Sequence, residues 1–273
     1  MVMNENITIR SLAGKQIIVT RSHKQATEFI DKLVERGASV ISLPAIEVIP
    51  PSNWDKLDHA LNELNHYHWI IFTSVNAVTF FMKRLCKENE SIRLPSGVQV
   101  CAVGPKTAER LQLYGVQPDL IPTEYNAEGL LAAFGALNIS GTKMLIPRAK
   151  VAREFLPEEL QKRGAQVTVV PVYETIMPEQ DVSRIKALLI EKKITAVTFT
   201  SGSTVRNFIE MIGQKEYTTL LSGVVIACMG PITAKIAQDY GLKTDIMPAD
   251  STIPAFANAI ADFFTAGMKP FIH

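Results

Sequence analysis

Hydroxyl side chains recur at two points where an apolar run gives way to a helical pattern. Residues 70–81 read IIFTSVNAVTFF and residues 197–208 read VTFTSGSTVRNF, so Phe-Thr-Ser closes an apolar run in both. Serine and threonine cap helix N-termini well, and the first turn of a helix presents unpaired N–H groups at the positive end of its dipole. Such a junction binds carboxylate or phosphate without needing a basic side chain.

Two further segments have the same character, VGPKTA at residues 103–108 and MGPITA at residues 229–234. Neither contains GxGxxG or the GK[ST] of a P-loop, so nucleotide binding is unsupported. Capping alone explains any one of these junctions, and their repetition does not decide between capping and binding. If the four junctions converge, they suit a polyanionic ligand held mainly by backbone amides. The junctions span residues 73–77, 104–108, 200–204 and 230–234.

The junctions repeat because much of the chain repeats. RGASVISLPAIEVIPP at residues 36–51 matches RGAQVTVVPVYETIMP at residues 163–178, and IVTR at residues 18–21 matches LIPR at residues 145–148. The matched segments keep an offset of 126 or 127 positions, which indicates an internal duplication.

The repeated unit predicts a parallel sheet with helices on both faces. Short apolar or β-branched runs (QIIV, SVISL, WIIFT, QVCAV and DLI) are strand candidates, and amphipathic helical patterns separate most of them. This alternation is typical of a doubly wound α/β sheet, so we expect two α/β lobes with a cleft between them. The pattern of residues 24–36 predicts a helix that ends at Gly37, and Pro157 marks the beginning or a kink of its counterpart. The shared apolar face of the first helix holds Phe29, Ile30, Leu33 and Val34.

One pair of matched positions differs in chemistry. Ile46 of LPAIEV corresponds to Tyr173 of VPVYET, at the point where one copy passes into the next. A buried tyrosine needs a partner for its hydroxyl, so Tyr173 is either a packed residue or a phenol that faces a ligand. From the residues alone, both interpretations stand.

Composition argues against several classes of protein. The chain of 273 residues has a net charge of +1 and no run of like charges, which argues against a nucleic-acid partner. No apolar stretch approaches the ~20 residues of a membrane span, and the N-terminal residues lack the apolar core of a signal peptide, so we expect a cytoplasmic protein. The three cysteines form no CxxC, and His66 and His68 have no further ligands at metal spacing, so no metal site is predicted.

Taken in the order in which they occur along the chain, the motifs resemble those of the uroporphyrinogen-III synthase family. The ordered set is VTR, FTSVNAV, VGPKTA, LIPR, VPVYET, FTSGSTV and MGPITA, and the resemblance covers residues 15–265. It implies two flavodoxin-like doubly wound lobes joined by a two-stranded linker, whereas the repeats alone fit two tandem lobes equally well. In the implied arrangement residues 1–46 and 176–273 form one lobe, residues 52–172 form the other, and residues 47–51 and 173–178 are the linker strands.

The resemblance also implies a reaction. Hydroxymethylbilane, a linear tetrapyrrole that bears carboxylates on every ring, loses water from the hydroxymethyl group of ring A. The resulting azafulvene joins ring D at its substituted α-carbon to form a spiro intermediate, and fragmentation and re-closure then invert ring D to give uroporphyrinogen III. The resemblance implies no cofactor and no metal. A reactive substrate suits a protein that mainly imposes geometry, which agrees with the lack of a recognisable Ser/His/Asp set.

The candidate site residues follow from the resemblance, position by position. Tyr173 matches the family tyrosine that assists loss of the hydroxyl. Asn76 stands where many members have arginine, so a side-chain ion pair is not expected there. Arg21 and Arg148 follow equivalent strands and are expected either to meet substrate carboxylates or to lie at the surface. The remaining substrate-binding candidates are the hydroxyl residues Ser74, Thr107, Thr200, Ser201, Ser203 and Thr233.

Two other functions fit parts of the sequence. A two-lobed small-molecule binding module without catalysis would explain the lobes and the cleft, but not Tyr173 or the ordered motifs. A glycosyltransferase with two Rossmann-like lobes is disfavoured by the missing nucleotide fingerprint and the short chain. A monomer is compatible with the sequence, which leaves open the oligomeric state, the lobe closure, the placement of the substrate rings and the role of residues 1–14.

Overall fold

The computed structural model describes residues 11–86 and 94–266. Its strands are β1 (Gln16–Val19), β2 (Ser39–Ser42), β3 (Glu47–Ile49), β4 (Trp69–Phe72), β5 (Gln99–Ala102), β6 (Lys143–Ala149), β7 (Gln166–Ile176), β8 (Ala196–Phe199) and β9 (Val225–Cys228). Its helices are α1 (His23–Glu35), α2 (Asp55–Asn62), α3 (Val75–Leu85), α4 (Pro105–Gln112), α5 (Ala127–Gly135), α6 (Phe155–Lys162), α7 (Ser183–Ile190), α8 (Gly202–Ile212), α9 (Tyr217–Leu220), α10 (Pro231–Asp239) and α11 (Ile253–Ala266), with a short 3₁₀ helix at Leu64–His66.

The chain divides into two compact units. The first unit contains the described residues up to Glu47 together with those from Ile176 onward, and the second unit is Val48–Thr175. The outer ends of the first predicted lobe, residues 1–10 and 267–273, lie outside the described residues.

The first unit is built around a four-stranded sheet in the order β2-β1-β8-β9. Its strand pairs are parallel, and side chains alternate between the two faces as the pleat requires. Ile17 and Val19 pack among buried residues of α1 and α11, whereas Ile18 packs among residues of α7 and α8. Helices therefore cover both faces, which explains why these strands read as continuous apolar runs.

The second unit is built around a five-stranded sheet in the order β3-β7-β6-β4-β5. Strand β4 pairs in parallel with both β5 and β6 at its centre. Trp69 and Ile71 pack with α5 and α6, and Ile70 and Phe72 pack with α2, α3 and α4. This alternation again places helices on both faces of a parallel sheet, so the predicted α/β class with parallel sheets is confirmed.

The strand predicted from the DLI run is wrong. Leu120 makes only an isolated bridge to Cys101, and no strand forms over residues 119–121. The Asp119 carboxylate accepts the Val100 N–H at 2.7 Å and so occupies a donor that a neighbouring strand would have used. Pro122 has no N–H with which to extend a ladder. The QIIV, SVISL, WIIFT and QVCAV candidates form β1, β2, β4 and β5.

The helix predicted over residues 24–36 forms as α1 and ends as expected. Gly37 has φ +91°, a conformation that glycine adopts without the steric cost a side chain would add. Phe29 and Leu33 are fully buried, but Val34 is 52% exposed, so its place on the buried face is a wrong prediction. At 100° per residue Val34 lies about 140° round the helix from Phe29. Pro157 lies in the first turn of α6, where proline is tolerated.

No helix within residues 11–86 and 94–266 is long and apolar enough to cross a membrane.

Candidate active site

The carboxyl ends of the second unit's strands bring the predicted junctions to one edge of its sheet. Phe72 at the end of β4 pairs with Ala102 at the end of β5, and the Val103 N–H donates to the Phe72 carbonyl at 3.0 Å. Ser74 and Gly104 each follow two residues later and are the N-caps of α3 and α4. Two helix N-termini therefore begin side by side at this edge.

The Ser74 hydroxyl both caps α3 and contacts the hydroxyl of Tyr173. Its extended backbone lets the side-chain oxygen accept the Ala77 N–H at 3.1 Å, which is the capping bond predicted for this junction. The same oxygen lies 3.3 Å from the hydroxyl oxygen of Tyr173, and either hydroxyl is able to donate. The partner that a half-buried tyrosine requires is thus a residue of the repeated FTS pattern in the same unit.

A β-bulge sets the position of Tyr173 on β7. Arg148 of β6 pairs with Pro171, and the next residue, Ala149, pairs with Tyr173, so β7 holds one extra residue at this point. Bulges of this kind bend a strand and redirect the side chain that follows. The Tyr173 ring is also stacked on Phe80 of α3, with ring centroids 5.9 Å apart and an interplanar angle of 21°.

The residues that match Tyr173 and Phe80 in the repeat have a different structure around them. Ile46 lies outside the strands, in the break between β2 and β3, whereas Tyr173 lies within the unbroken β7. Asn207, which matches Phe80 in the repeat, donates from its side-chain amide to the Ala45 carbonyl at 2.7 Å. The contact of Phe80 with Tyr173 was not predicted from the sequence. The difference between Phe80 and Asn207 at matching positions of the repeat could have indicated it.

The first turns of α3 and α4 hold the other candidates of this edge. Asn76 is half-buried in the first turn of α3, and Thr107 is buried in the first turn of α4. A Cβ at Gly104 would lie 3.5 Å from the side chain of Tyr125, which is an ordinary van der Waals contact. Tyr125 itself is 63% exposed.

Arg148 is engaged within its own unit. It is a buried residue of β6, and its guanidinium donates to the Arg153 carbonyl at 2.8 Å and forms an ion pair with Glu154. The alternative of a surface position is therefore excluded for Arg148. Within the described residues, its carboxylate partner is Glu154.

The first unit carries the remaining candidates at its own strand ends. Ser201 caps α8 by accepting the Thr204 N–H at 3.3 Å, and the Thr204 hydroxyl accepts the Ser201 N–H at 3.2 Å, so the two form a capping box. The Ser203 and Ser201 hydroxyl oxygens lie 2.9 Å apart. Thr200 is half-buried before the cap, and Thr233 is buried in the first turn of α10.

Arg21 follows β1 and is half-buried. Its Nε donates to the Gln25 carbonyl at 2.9 Å. Burial lowers the pKa of the Arg21 guanidinium, and the nearby Glu28 carboxylate opposes this shift. Arginine stays charged at neutral pH in any case, so Arg21 offers a cation to an anionic ligand.

Each unit by itself therefore presents capped helix N-termini, a buried threonine in a Gly-Pro helix and one arginine. Tyr173 has no such counterpart, because its matching residue is Ile46. Within residues 11–86 and 94–266, no group of three or more His, Cys, Asp or Glu side chains is placed to hold a metal ion. What this arrangement offers is hydrogen-bond donors for carboxylates and one phenol.

Comparison with known proteins gives concordant matches. The family model described as uroporphyrinogen-III synthase HemD matches residues 27–258. The uroporphyrinogen-III synthases of Synechococcus elongatus and Chlorobaculum parvum are each 34% identical to the chain; the matches cover 91% of the chain and 95% and 98% of those proteins. A crystal structure of a mutant uroporphyrinogen III synthase from Thermus thermophilus shares the α/β fold, with a TM-score of 0.66 at 15% identity over 92% of the chain and 99% of that structure.

Proposed function

Since the chain belongs to the uroporphyrinogen-III synthase family, we propose that it converts hydroxymethylbilane to uroporphyrinogen III in tetrapyrrole biosynthesis. The reaction is that of a cyclising lyase: the bilane loses one water, ring D is inverted and the macrocycle closes. No electrons are transferred between substrate and protein, so the reaction needs no redox cofactor, and the proposal includes no other cofactor and no metal.

The observation that carries the proposal is the contact between Tyr173 and Ser74, 3.3 Å apart at the strand ends of the second unit. Because Ser74 Oγ already accepts the Ala77 N–H, its own proton is free to be donated to the phenol oxygen. The phenol then keeps its proton for the substrate. We assign that proton to the hydroxyl leaving ring A, where developing negative charge strengthens the hydrogen bond as the barrier is crossed.

Binding of the substrate carboxylates is assigned to the helix N-termini. In this proposal backbone amides of the first turns supply most donors, and flanking side chains add to them. Arg21 supplies a charge, and Arg148 contributes if a substrate carboxylate replaces Glu154. The side chains proposed to take part are Ser74, Asn76, Thr107, Thr200, Ser201, Ser203 and Thr233.

Geometry supplies most of the catalysis in this scheme. The bilane closes without inversion when left unaided, so the protein must hold ring D and the azafulvene in the arrangement that leads to the spiro intermediate. Holding two groups in a near-attack arrangement is worth several kcal/mol, about 7–11 in favourable cases, without any strong acid or base. A lone phenol with many weak donors suits this task.

We also propose the domain plan that the family resemblance implied. Residues 1–46 with 176–273 and residues 52–172 would be two flavodoxin-like domains descended from a duplication, connected by strands at 47–51 and 173–178. The division into units at Glu47/Val48 and Thr175/Ile176 supports it, as does the adjacency of β3 and β7 in one sheet.

The test is incubation of the purified protein with hydroxymethylbilane, followed by oxidation and chromatographic separation of the porphyrin isomers. Isomer III should form with the active protein, and isomer I should dominate with heat-inactivated protein. Retention of the bilane without any isomer III would instead support the binding module. In that case the bound bilane should still stabilise the chain against unfolding, which is measurable.

A further inference from the structure

Three side chains meet immediately beside Tyr173. The Glu174 carboxylate accepts the Ser52 N–H at 3.1 Å and lies 3.3 Å from the Ser52 hydroxyl, which donates to the same oxygen. The Lys150 ammonium lies 3.1 Å from each of the two carboxylate oxygens. The Glu174 side chain is 18% exposed, and that of Lys150 is 53% exposed. We call Ser52, Lys150 and Glu174 the Glu174 cluster.

Lys150 also holds the backbone of the tyrosine. Its N–H donates to the Tyr173 carbonyl at 2.9 Å, so one lysine binds two consecutive residues of β7. The bulge at Arg148 and Ala149 interrupts the regular ladder just before this point. The Glu174 cluster and the Lys150 N–H therefore hold β7 on its β6 side at the point where the pairing of these two strands ends.

The two consecutive side chains serve opposite faces of the strand. Successive residues of a β-strand project to opposite sides, so Glu174 is anchored on the face away from the phenol. Hydrogen bonds from Ser52 and the ammonium of Lys150 hold the pKa of Glu174 below its usual value, so the carboxylate is ionised at neutral pH. The anchor is thus present under the conditions of the reaction.

The other copy of the repeat has no such cluster. Glu47 matches Glu174, but it is exposed, and its side chain makes no hydrogen bond or ion pair with any residue of 11–86 or 94–266. The positions that match Lys150 and Ser52 are His23 and Glu179, which could not provide the same pair. The cluster therefore lies in the unit that holds Tyr173, and the matching positions of the repeat do not reproduce it.

We propose that Glu174 is a positioning residue for the reaction, which acts through Lys150 and Ser52 on the segment of β7 that carries Tyr173. This inference rests on the role proposed above for Tyr173. Without the anchor, the phenol would depart from its place beside Ser74 more often. The expected effect falls on the chemical step rather than on binding, because the cluster makes no part of the helix N-termini assigned to the carboxylates.

The primary experiment compares Glu174→Gln with Glu47→Gln, the same change at the matching position. Glu174→Gln removes the ion pair and keeps an oxygen for Ser52. It should lower kcat about threefold to tenfold and leave KM within about twofold, a smaller loss than the hundredfold that a displacement of 1 Å is able to cause. Glu47→Gln should change neither value. Lys150→Met removes the ion pair but keeps the contact between Ser52 and Glu174, and it should reproduce the loss of kcat. This second variant tests the inference if Glu174→Gln folds poorly.

A double-variant cycle separates positioning from a general loss of structure. In a Tyr173→Phe background, Glu174→Gln should lower kcat no further, because there is no phenol left to position. An equal loss in both backgrounds, or a normal kcat for both Glu174→Gln and Lys150→Met, would overturn the inference. A normal kcat for Tyr173→Phe would overturn the role of the phenol and this inference with it, while formation of isomer III would leave the proposed reaction standing.

Discussion

Replacement of Tyr173 by phenylalanine removes one oxygen and leaves the packing in place. The ring stacked on Phe80 is unchanged, and Ser74 still caps α3 through the Ala77 N–H. The hydrogen bond that is lost measures 3.3 Å, at the long end for two hydroxyls. A bond of this kind contributes about 0.5 kcal/mol to the free energy of unfolding, so Tyr173→Phe should fold normally.

The expected effect on turnover is larger than the effect on stability. General-acid assistance is typically worth about 10²–10⁴-fold, but the bilane loses its hydroxyl readily unaided. We therefore expect kcat to fall about tenfold to hundredfold, which corresponds to about 1.4–2.7 kcal/mol in the barrier. KM should change little, because the carboxylates are assigned to the helix N-termini in this proposal. Isomer III should remain the main enzymatic product, since ring placement does not depend on the phenol.

The assay is steady-state kinetics with separation of the product isomers, corrected for spontaneous closure to isomer I. Tyr217→Phe is a matched control: its hydroxyl donates to the Tyr240 carbonyl at 2.8 Å in the first unit, away from the assigned site. The control should lose stability at least as much as Tyr173→Phe and retain its kcat. An unchanged kcat with a raised KM in Tyr173→Phe would refute the reasoning and leave Tyr173 a binding or packing residue.

Four further outcomes are expected. Arg148→Met should lower the free energy of unfolding in urea by about 1–3 kcal/mol, because it deletes charge-assisted hydrogen bonds at a buried site; an unaltered midpoint would contradict this. The pKa of Glu174 lies below its unfolded value, so its carboxylate stabilises the fold above about pH 4.3 and this stabilisation is lost as pH falls through the folded-state pKa. Glu174→Gln should therefore lose less stability than the unaltered chain on acidification below that pH. Burial raises the pKa of the Cys101 thiol to about 12, so iodoacetamide at pH 8 should spare it in the folded protein and label it in urea, with the half-buried Cys86 as the internal comparison in peptide mass spectra. A chain cut to residues 48–175 should give a dispersed amide spectrum, since it contains one complete unit, and a collapsed spectrum would show that the unit does not fold alone.

Local patterns were sufficient to predict most strands. Buried parallel strands are continuous apolar runs, and β1, β2, β4 and β5 were found by that property. The DLI run failed because a side chain competes with the ladder: Asp119 accepts the Val100 N–H at 2.7 Å. The second copy repeats this, since Asp245 accepts the Ile226 N–H at 2.9 Å and Ile246 makes only an isolated bridge.

Of the candidate site, the sequence predicted only the hydrogen bonds between residues that are close along the chain. The cap at Ser74 follows from the FTS pattern, because a capping side chain bonds three residues ahead. The contact between Ser74 and Tyr173 joins positions 99 apart and depends on the register of three strands, β4, β6 and β7, which no periodicity encodes. Likewise, the sequence left two roles open for Arg148, and the conformation of the segment up to Glu154 decides that its guanidinium is engaged within the unit.

The order of strands in the first unit has a consequence for synthesis on the ribosome. Strand β1 lies between β2 and β8, and the Thr20 hydroxyl donates to the carbonyl of Thr198, a residue 178 positions later. At about 5–20 residues per second, β1 emerges roughly 9–36 s before β8, which pairs with the edge of β1 that faces away from β2. During that interval an apolar strand edge stays unpaired on the nascent chain while the whole second unit is made. The segment around residues 16–42 is thus where a nascent-chain chaperone would be expected to bind, until β8 leaves the exit tunnel.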